Sequence, residues 1–301
     1  MAPVSTMREQ AATTVTDLFL DDPRVAIVLA EISTPYFDRA FAFDPARAVN
    51  VGIMEQTMVG VAAGLAMEGF LPVVHTITPF LVERPLEQLK LDFGYQGLGG
   101  TFVSVGSSYD YGAQGATHHS PGDAQVLSSI PGMQILVPGT PSEIDLLIRQ
   151  TYADGSPTYI RTSVARNEEG FEVEAGRMNV VRRGANGTVI AFGPMLDRTL
   201  EAVAGLDVNV LYATSVDPFD AETLAAVAGE HPAVVTVEPF YEGTVTGRVA
   251  EALRHVPSRS GSVGVPRTFV DHYGTVDELD LAFGLDASSI RRKISRFLND
   301  D

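Results

Sequence analysis

The sequence predicts an α/β fold made of two open, mostly parallel sheets, and three observations support this prediction. Short, continuously apolar runs such as residues 24–30 are typical of strands buried on both faces of a parallel sheet. Segments such as residues 6–20, with apolar side chains at helical spacing, alternate with these runs. The alternation lapses once, between residues 163 and 187, and then resumes, which predicts two successive units.

The first unit is expected to span residues 1–168. The helix after its second strand begins at Glu55 and ends near Gly69, and the helix at residues 79–93 has proline in its first turn, where a missing N–H does no harm. A capping box, Thr140-Pro-Ser-Glu143, predicts the start of a later helix. The predicted strands are residues 24–30, 48–51, 71–76, 101–106, 133–137 and 157–162.

The second unit is expected to span residues 188–301, after a charged, glycine-containing stretch at residues 169–187. That stretch indicates either a linker or a pair of short edge strands. Asp286 is the expected N-cap of a terminal helix that runs to Leu298. The predicted strands are residues 188–192, 208–212, 233–237 and 267–270, and the predicted helices are roughly residues 195–204, 221–229 and 244–254.

The composition excludes several classes of function. The 301 residues carry a net charge of −17, which argues against nucleic acid and anionic membranes as partners, since both require a basic face. The chain has no cysteine, so disulfides, thiolate catalysis and cysteine-ligated metals are excluded. No apolar run approaches the ~20 residues of a membrane span, and residues 1–10 lack a signal-peptide core, so a cytoplasmic protein is expected.

Glu55 follows the strand at residues 48–51 and opens a helix rich in glycine and alanine. In an α/β protein this junction lies at the carboxyl edge of the sheet, where ligands bind. An acidic residue in the first turn of a helix also complements the helix dipole without any ligand. The residues alone therefore leave two interpretations of Glu55, a helix-start acid and a ligand contact.

Residues 106–120 form a glycine-rich loop that follows a strand and carries His118 and His119. Long loops at this edge are usually functional. The two histidines are consistent with a solvated loop or with a hydrogen-bonding or acid–base role, because histidine titrates near neutral pH. No His-Glu-x-x-His helix or acidic cluster accompanies them, so a metal site made by this chain alone is not expected.

Three further side chains lie near predicted element ends of the first unit. Phe80 and Arg84 are one turn apart on a predicted helix, and Phe80 is either a core residue or a stacking platform for a ligand. Arg161 ends a predicted strand. It is either a surface salt-bridge partner or an anchor for an anionic group.

Five motifs follow one another along the chain. They are Asn50-Val-Gly-Ile-Met-Glu-Gln56, Phe80-Leu-x-x-Arg-x-x-Glu-Gln88, Gly112-x-x-Gly-x-Thr-His118, Tyr159-Ile-Arg161 and Asp271-His-Tyr-Gly, and a further match, Pro131-Gly-Met-x-x-x-x-Pro138, lies between the third and the fourth. In this order they resemble the C-terminal half of transketolase, a thiamine-diphosphate-binding pyrimidine domain followed by a transketolase C-terminal-like domain. The resemblance covers nearly the whole chain.

The resemblance implies roles for these residues. The family's glutamate hydrogen-bonds the aminopyrimidine ring nitrogen of thiamine diphosphate, so Glu55 would activate the cofactor. Phe80 would stack on the pyrimidine ring, and Arg84 and Ile53 would complete the cofactor-binding set. His118 would contact the donor substrate and relay a proton. The other expected substrate-binding residues are Gln114, His119, Arg161 and Arg8, of which the two arginines match positions that bind a substrate phosphate.

The resemblance also implies that half of the active site lies on another chain. Complete transketolases are much longer and bind the diphosphate and Mg²⁺ through a Gly-Asp-Gly motif with a downstream Asn, and this sequence has no Gly-Asp-Gly. The expected partner is therefore an N-terminal transketolase subunit that carries the diphosphate-binding domain and provides most of the Mg²⁺ ligands. The expected assembly is a heterotetramer with two copies of each chain and sites at subunit interfaces.

Departures from the family's pattern leave the substrate open. The family often has Gly-Glu-Asp-Gly-Pro-Thr-His where this chain has residues 112–118, so Gln114 replaces an acid that reads a substrate hydroxyl. Gly106 lies about where transketolases carry a phosphate-contacting histidine, and His119 replaces a common glutamine. The expected reaction is transfer of a two-carbon ketol or related acyl unit from a ketose or 2-oxo donor to an aldehyde, in primary or secondary metabolism.

Three other functions are alternatives to transketolase. The β subunit of a 2-oxo-acid dehydrogenase shares the domain order and the glutamate, and a 1-deoxyxylulose-phosphate synthase-like enzyme would perform a ketol condensation. A non-enzymatic alternative is a scaffold paralogue that kept the fold and lost its substrate contacts. The presence of Glu55, Phe80 and His118 argues against the scaffold.

Overall fold

The computed structural model describes residues 6–229, 232–271 and 273–299, and it confirms the predicted α/β class. The first sheet has seven strands and the second has five, and most neighbouring strands run parallel. His272 of the Asp271 motif lies outside the described residues, as do residues 1–5 and 300–301 of the predicted domains. Within those ranges we find no helix with the length and apolarity needed to cross a membrane.

The first sheet consists mainly of strands from the N-terminal half. These strands are β1 (Val25–Leu29), β2 (Ala48–Asn50), β3 (Leu71–Ile77), β4 (Gly100–Val105), β5 (Gln134–Leu136) and β6 (Pro157–Arg161). They lie in the order β5-β6-β4-β3-β1-β2, so the carboxyl ends of β1 to β4 meet at one edge. The helices of this half are α1 (Met7–Asp21), α2 (Asp38–Phe43), α3 (Glu55–Met67), α4 (Thr78–Val82), α5 (Leu86–Gln88), α6 (Asp123–Leu127) and α7 (Pro141–Thr151).

The second sheet has the strand order β12-β11-β8-β9-β7. The strands of the C-terminal half are β7 (Met178–Arg182), β8 (Thr188–Phe192), β9 (Asn209–Ala213), β10 (Ser215–Asp217), β11 (Ala233–Tyr241) and β12 (Arg259–Val265). Its helices are α8 (Leu196–Ala202), α9 (Ala221–Ala228), α10 (Thr246–Ala252), α11 (Val276–Phe283) and α12 (Ala287–Asn299). The Asp286 carboxylate accepts the backbone N–H of Ser289 at 3.0 Å, as an N-cap of α12 does.

Two predicted elements differ from the structure. The single helix expected at residues 79–93 is instead α4, a turn, α5 and a π-helical stretch at Leu89–Tyr95. Pro85 ends the first piece, because it has no N–H to donate to the preceding turn. The strand expected at residues 267–270 is wrong, and the last strand is β12. Its two glycines, Gly261 and Gly264, give this segment the composition of a loop. Glycine is required at position 264 because a Cβ there would lie 2.8 Å from the backbone of β11.

Two antiparallel edge strands, β7 and β10, join segments that are distant in the sequence. β7 lies within residues 169–187 and pairs antiparallel with β9 at the edge of the second sheet. β10 leaves the second half and pairs antiparallel with β5 at the edge of the first sheet. The two sheets are therefore joined by backbone hydrogen bonds as well as by side-chain packing.

A buried ion pair reinforces this junction. The side chains of Arg161 at the end of β6 and Asp123 on α6 are 1% and 0% exposed, and Arg161 Nε donates to Asp123 Oδ2 at 2.7 Å. Arg161 Nη2 also donates to Ser108 Oγ at 2.6 Å and to the carbonyl of Pro239, in β11, at 3.2 Å. The guanidinium thus connects the first half of the chain to the second.

We expect Arg161→Met to lower the free energy of unfolding by about 3–5 kcal/mol, because it leaves the Asp123 carboxylate buried without its cation. Urea unfolding of the full chain measures this loss. The matched control is Arg149→Met, which removes a partly exposed pair with Asp145 on α7 and should cost no more than about 1 kcal/mol. Equal losses in the two variants would contradict the structural role of Arg161.

Candidate functional site

Glu55 begins α3 at the carboxyl edge of the first sheet. Gly52 has a φ of +77°, a conformation that glycine adopts without strain, and it turns the chain between β2 and α3. Glu55 is 3% exposed, and its carboxylate lies in the first turn of the helix, where the dipole favours negative charge. Arg84 Nη1 donates to Glu55 Oε1 at 2.7 Å, and in the described part of the chain Oε2 has no hydrogen-bond partner. One oxygen of this buried carboxylate is therefore available to a ligand.

Phe80 on α4 and His118 are connected to this carboxylate through Arg84. The guanidinium carbon of Arg84 is 3.6 Å from the centroid of the Phe80 ring, so Arg84 bridges Phe80 and Glu55. The His118 ring meets Phe80 in an edge-on arrangement with centroids 5.2 Å apart. The structure thus brings together four residues that the sequence assigned to cofactor and substrate.

The position of Arg84 tests whether an aminopyrimidine ring fits here. Its guanidinium is a planar N–H donor that rests on an aromatic face and donates to the Glu55 carboxylate. An aminopyrimidine needs the same two contacts, a stacking ring and a carboxylate acceptor. The Arg84 side chain is 42% exposed and has solvent beside it, so there is room for it to move. The residues present therefore fit the pyrimidine end of thiamine diphosphate.

The polar side chains of the loop after β4 differ in their exposure to solvent. His118 is half-buried, with Nδ1 2.9 Å from Thr117 Oγ1, and Gln114 is exposed in a short 3-10 turn. His119 is 7% exposed, and its Nε2 donates to the carbonyl of Tyr111 at 3.1 Å. Burial lowers the pKa of His119 and so favours the neutral imidazole. The substrate-binding role expected for His119 is a poor fit, because the ring faces the interior.

Arg161 also does not fit its expected role. It is fully buried, and its N–H groups already bind Asp123, Ser108 and the carbonyl of Pro239. A substrate phosphate would have to displace these partners and expose a buried carboxylate. The expectation of a phosphate contact at this position is therefore corrected to a structural ion pair.

Arg8, by contrast, reaches an open cleft. Its Nε donates to Ser33 Oγ at 2.9 Å, and its guanidinium lies 5.0 Å from the centroid of the Tyr36 ring. The cleft has a volume of about 470 Å³, and its lining also includes Gly106 and Tyr111. The Tyr111 and His118 rings are perpendicular with centroids 6.2 Å apart, so the cleft opens next to His118.

A buried histidine fixes the position of Arg8. His75 in β3 has its Nδ1 2.8 Å from the carbonyl of Val103, which can only accept, so Nδ1 carries the proton. His75 Nε2, 2.6 Å from Ser33 Oγ, then accepts the hydroxyl proton, and Ser33 Oγ accepts from Arg8. Burial lowers the pKa of His75 to about 4, which keeps this arrangement neutral at ordinary pH.

Several site residues escaped the sequence reasoning. Ser33, with a φ of +66°, and Tyr36 follow β1, where no motif marked a site. His75 is the one ionisable side chain in an otherwise uncharged strand, and that was a usable signal. Ile53, which the sequence assigned to the cofactor, is 72% exposed, and its neighbour Met54 is 51% exposed. Both face away from the chain's own core.

The described residues contain no group of three or more histidine, cysteine, aspartate or glutamate side chains arranged to hold a metal ion. They offer instead a buried acceptor, an aromatic face and a histidine on one open edge of a parallel sheet. On a two-domain α/β chain, this combination is suited to a planar ligand that carries N–H donors.

Comparison with known proteins identifies the family. The model of the transketolase pyrimidine binding domain matches residues 5–167, and that of the transketolase C-terminal domain matches residues 176–290. The chain belongs to the transketolase family, as the resemblance of its motifs predicted.

Individual relatives agree with this assignment. An uncharacterized 33.6 kDa protein in the fasciation locus of Rhodococcoides fascians is 45% identical over 95% of this chain and 93% of its own length. The 6-deoxy-6-sulfo-D-fructose transketolase subunit SqwH of Clostridium sp. (strain MSTE9) is 32% identical over 93% of this chain and 91% of its own. A solved split-gene transketolase, described as an inactive beta4 tetramer, superposes with a TM-score of 0.86 at 27% identity and covers 98% of this chain and 99% of its own.

The burial of His75 predicts a pH dependence of stability. Its folded pKa of about 4 lies below the unfolded value of about 6.5, so the unfolded chain takes up a proton first as the pH falls. Stability contributed by the neutral imidazole is therefore present above pH 6.5 and lost between about pH 6.5 and 4, to the extent of roughly 3 kcal/mol.

We expect the free energy of unfolding of His75→Gln, relative to that of the natural chain, to rise by up to roughly 3 kcal/mol as the pH falls from 6.5 to 4, because the variant lacks the imidazole that opposes folding there. Urea titrations of both chains at several pH values measure this difference, from which the contributions of other buried acids such as Asp110 and Glu238 cancel. His255→Gln, at an exposed histidine, is the control and should keep the natural pH profile. Parallel profiles for His75→Gln and the natural chain would show that the His75 imidazole is not held neutral.

Proposed function

We propose that this chain is the C-terminal subunit of a split transketolase and is active only with an N-terminal partner subunit. The observation that carries the proposal is the Glu55 carboxylate, buried at the start of α3 with one free oxygen beside the Phe80 ring. A buried carboxylate is costly unless something binds it, and Arg84 satisfies only one of its two oxygens. The aminopyrimidine of thiamine diphosphate is the ligand that we infer for the other.

The residues of this chain then have distinct tasks. Glu55 accepts a hydrogen bond from the pyrimidine ring nitrogen and holds the proton there, and Phe80 orients the ring by stacking. Thiamine diphosphate, when bound, supplies a carbanion-forming carbon and an electron sink. His118 lies on the same open edge, 5.2 Å from Phe80 between ring centroids, and is placed to donate a proton to the substrate carbonyl oxygen.

The partner supplies what this chain lacks. The sequence has no Gly-Asp-Gly motif, and no described cluster could hold a metal ion. We infer that the N-terminal subunit binds the diphosphate and Mg²⁺ and that two copies of each chain form a heterotetramer. The exposed Ile53 and Met54 beside Glu55 support this inference, because apolar side chains next to a site commonly lie in an interface.

The proposed donor is a larger molecule that gives up a two-carbon unit. An anionic or hydroxyl group at its far end would reach Arg8. Arg161 is buried, so Arg8 is the expected substrate-binding arginine that does border an open cleft. The relative from Clostridium is named for a sulfonated ketose, and an anion at the far end of the sugar would suit Arg8. Gln114, exposed on the loop before His118, is proposed to contact a donor hydroxyl.

We expect Glu55→Gln and Glu55→Ala to lower kcat at least about 100-fold in the assembled pair with thiamine diphosphate and Mg²⁺, because neither side chain can hold the ring proton. The assay is ketol transfer from a panel of ketoses and 2-oxo acids to aldehydes, with circular dichroism to verify the fold. Glu68→Gln, at the exposed end of the same helix, is the control and should keep full activity. Near-natural turnover of the Glu55→Ala pair would refute the assignment.

The products of the natural pair separate the remaining functions. A lengthened ketose is the product expected of a transketolase. Reductive acylation of a lipoyl domain by a 2-oxo acid would identify a dehydrogenase β subunit. Condensation of a 2-oxo acid with an aldehyde and loss of carbon dioxide would identify a 1-deoxyxylulose-phosphate synthase-like enzyme, and no turnover with any donor would favour the scaffold.

A further inference from the structure

The loop that carries His118 is held from the C-terminal half of the chain. Its start is fixed by Tyr109, whose hydroxyl donates to Asp280 Oδ1 on α11 at 2.5 Å and whose ring lies 5.2 Å from the Phe283 ring. Its end is fixed by Pro121, whose carbonyl accepts the N–H of Tyr241 in β11 at 2.8 Å. Between these two points, further residues of the C-terminal half pack against the loop.

Two glycines allow the C-terminal half to approach the middle of the loop. A Cβ at Gly112 would collide with the carbonyl oxygen of Gly274 and would lie 2.9 Å from a methyl carbon of Leu279. A Cβ at Gly115 would lie 2.6 Å from the ring of Tyr273. Backbone and ring therefore pack directly against each other at both positions.

The contact at Gly115 leads to His118 within one hydrogen bond. The backbone N–H of His118 donates to the carbonyl of Gly115 at 3.0 Å. Gly115 has a φ of +74°, which other residues rarely adopt, so the turn into His118 has one preferred shape. The Tyr273 ring lies against this turn, and the residue as a whole is 73% exposed. A largely exposed aromatic ring on a glycine turn covers the backbone without being part of the core.

We propose that Tyr273 is a positioning residue for His118, acting through Gly115. Its ring closes one side of the turn and limits the motion of the imidazole relative to Phe80. This gives the second domain a part in the reaction although the residues that face the cofactor lie in the first. The catalytic consequence rests on the role proposed for His118, whereas the restriction of the loop does not.

Three variants of the full chain test this proposal. Tyr273→Ala removes the ring, Tyr273→Phe keeps the ring carbon that lies nearest Gly115, and Phe269→Ala removes an aromatic ring, 86% exposed, from the preceding stretch of the sequence. The first readout is hydrogen–deuterium exchange of the peptide that covers residues 112–118. We expect Tyr273→Ala to speed exchange there by about threefold or more, because a covered turn becomes open, while the other two variants keep the natural rate.

The second readout is steady-state kinetics of the reconstituted pair. Tyr273→Ala should lower kcat by about tenfold and leave the half-saturating concentration of thiamine diphosphate unchanged, because His118 loses alignment and the cofactor contacts do not. Tyr273→Phe should restore kcat. Urea midpoints of Tyr273→Ala and Phe269→Ala should agree, which separates positioning from a general loss of stability.

Natural exchange in the Tyr273→Ala loop, or the same acceleration in Phe269→Ala, would overturn the proposal. A pair that turns over no donor at all would contradict the proposed function, and the exchange measurement would still decide the contact between Tyr273 and the loop. Faster exchange with an unchanged kcat would overturn the link to catalysis.

Discussion

The structure of the site depends on how one buried negative charge is compensated. Glu55 is removed from water at the start of α3, and the helix dipole and Arg84 offset its charge. Arg84 in turn lies on Phe80, and Phe80 meets the edge of His118. Each of these contacts fixes the next, so the residues that face the cofactor form one connected set along the carboxyl edge of the sheet.

Elements of the C-terminal half hold this edge of the first sheet in place. β10 adds a strand to the first sheet, and the buried Arg161 joins β6 and α6 to the backbone of β11. The loop that carries His118 is attached to α11 and β11. Because these attachments come from elements far apart in sequence, the geometry of the site requires both halves to be folded and docked.

The sequence predicted most of the parallel strands and part of the site because the signals for these are local. Apolar runs mark the strands, the Thr140 capping box marks α7, and a carboxylate after a strand marks the ligand edge. Those signals placed Glu55, Phe80 and His118 correctly on one edge of one sheet.

The failures involve contacts between distant parts of the chain. Nothing near Arg161 in sequence reveals that Asp123, 38 positions away, and Pro239, 78 positions away, surround its guanidinium. The strand β12 is hidden by its two glycines, of which Gly264 lies against the backbone of β11 and Gly261 lies against the Phe297 ring on α12. The orientation of His119 toward the interior likewise depends on the Tyr111 carbonyl and cannot be read from two adjacent histidines.

The central claim is that this chain provides one wall of a cofactor site and that a second chain provides the other. Isothermal titration calorimetry with thiamine diphosphate and Mg²⁺ tests it most directly, first on this chain alone and then on the complex with its N-terminal partner. We predict negligible binding to the isolated chain and saturable binding, one cofactor per pair, to the complex. Tight binding to the isolated chain would contradict the claim.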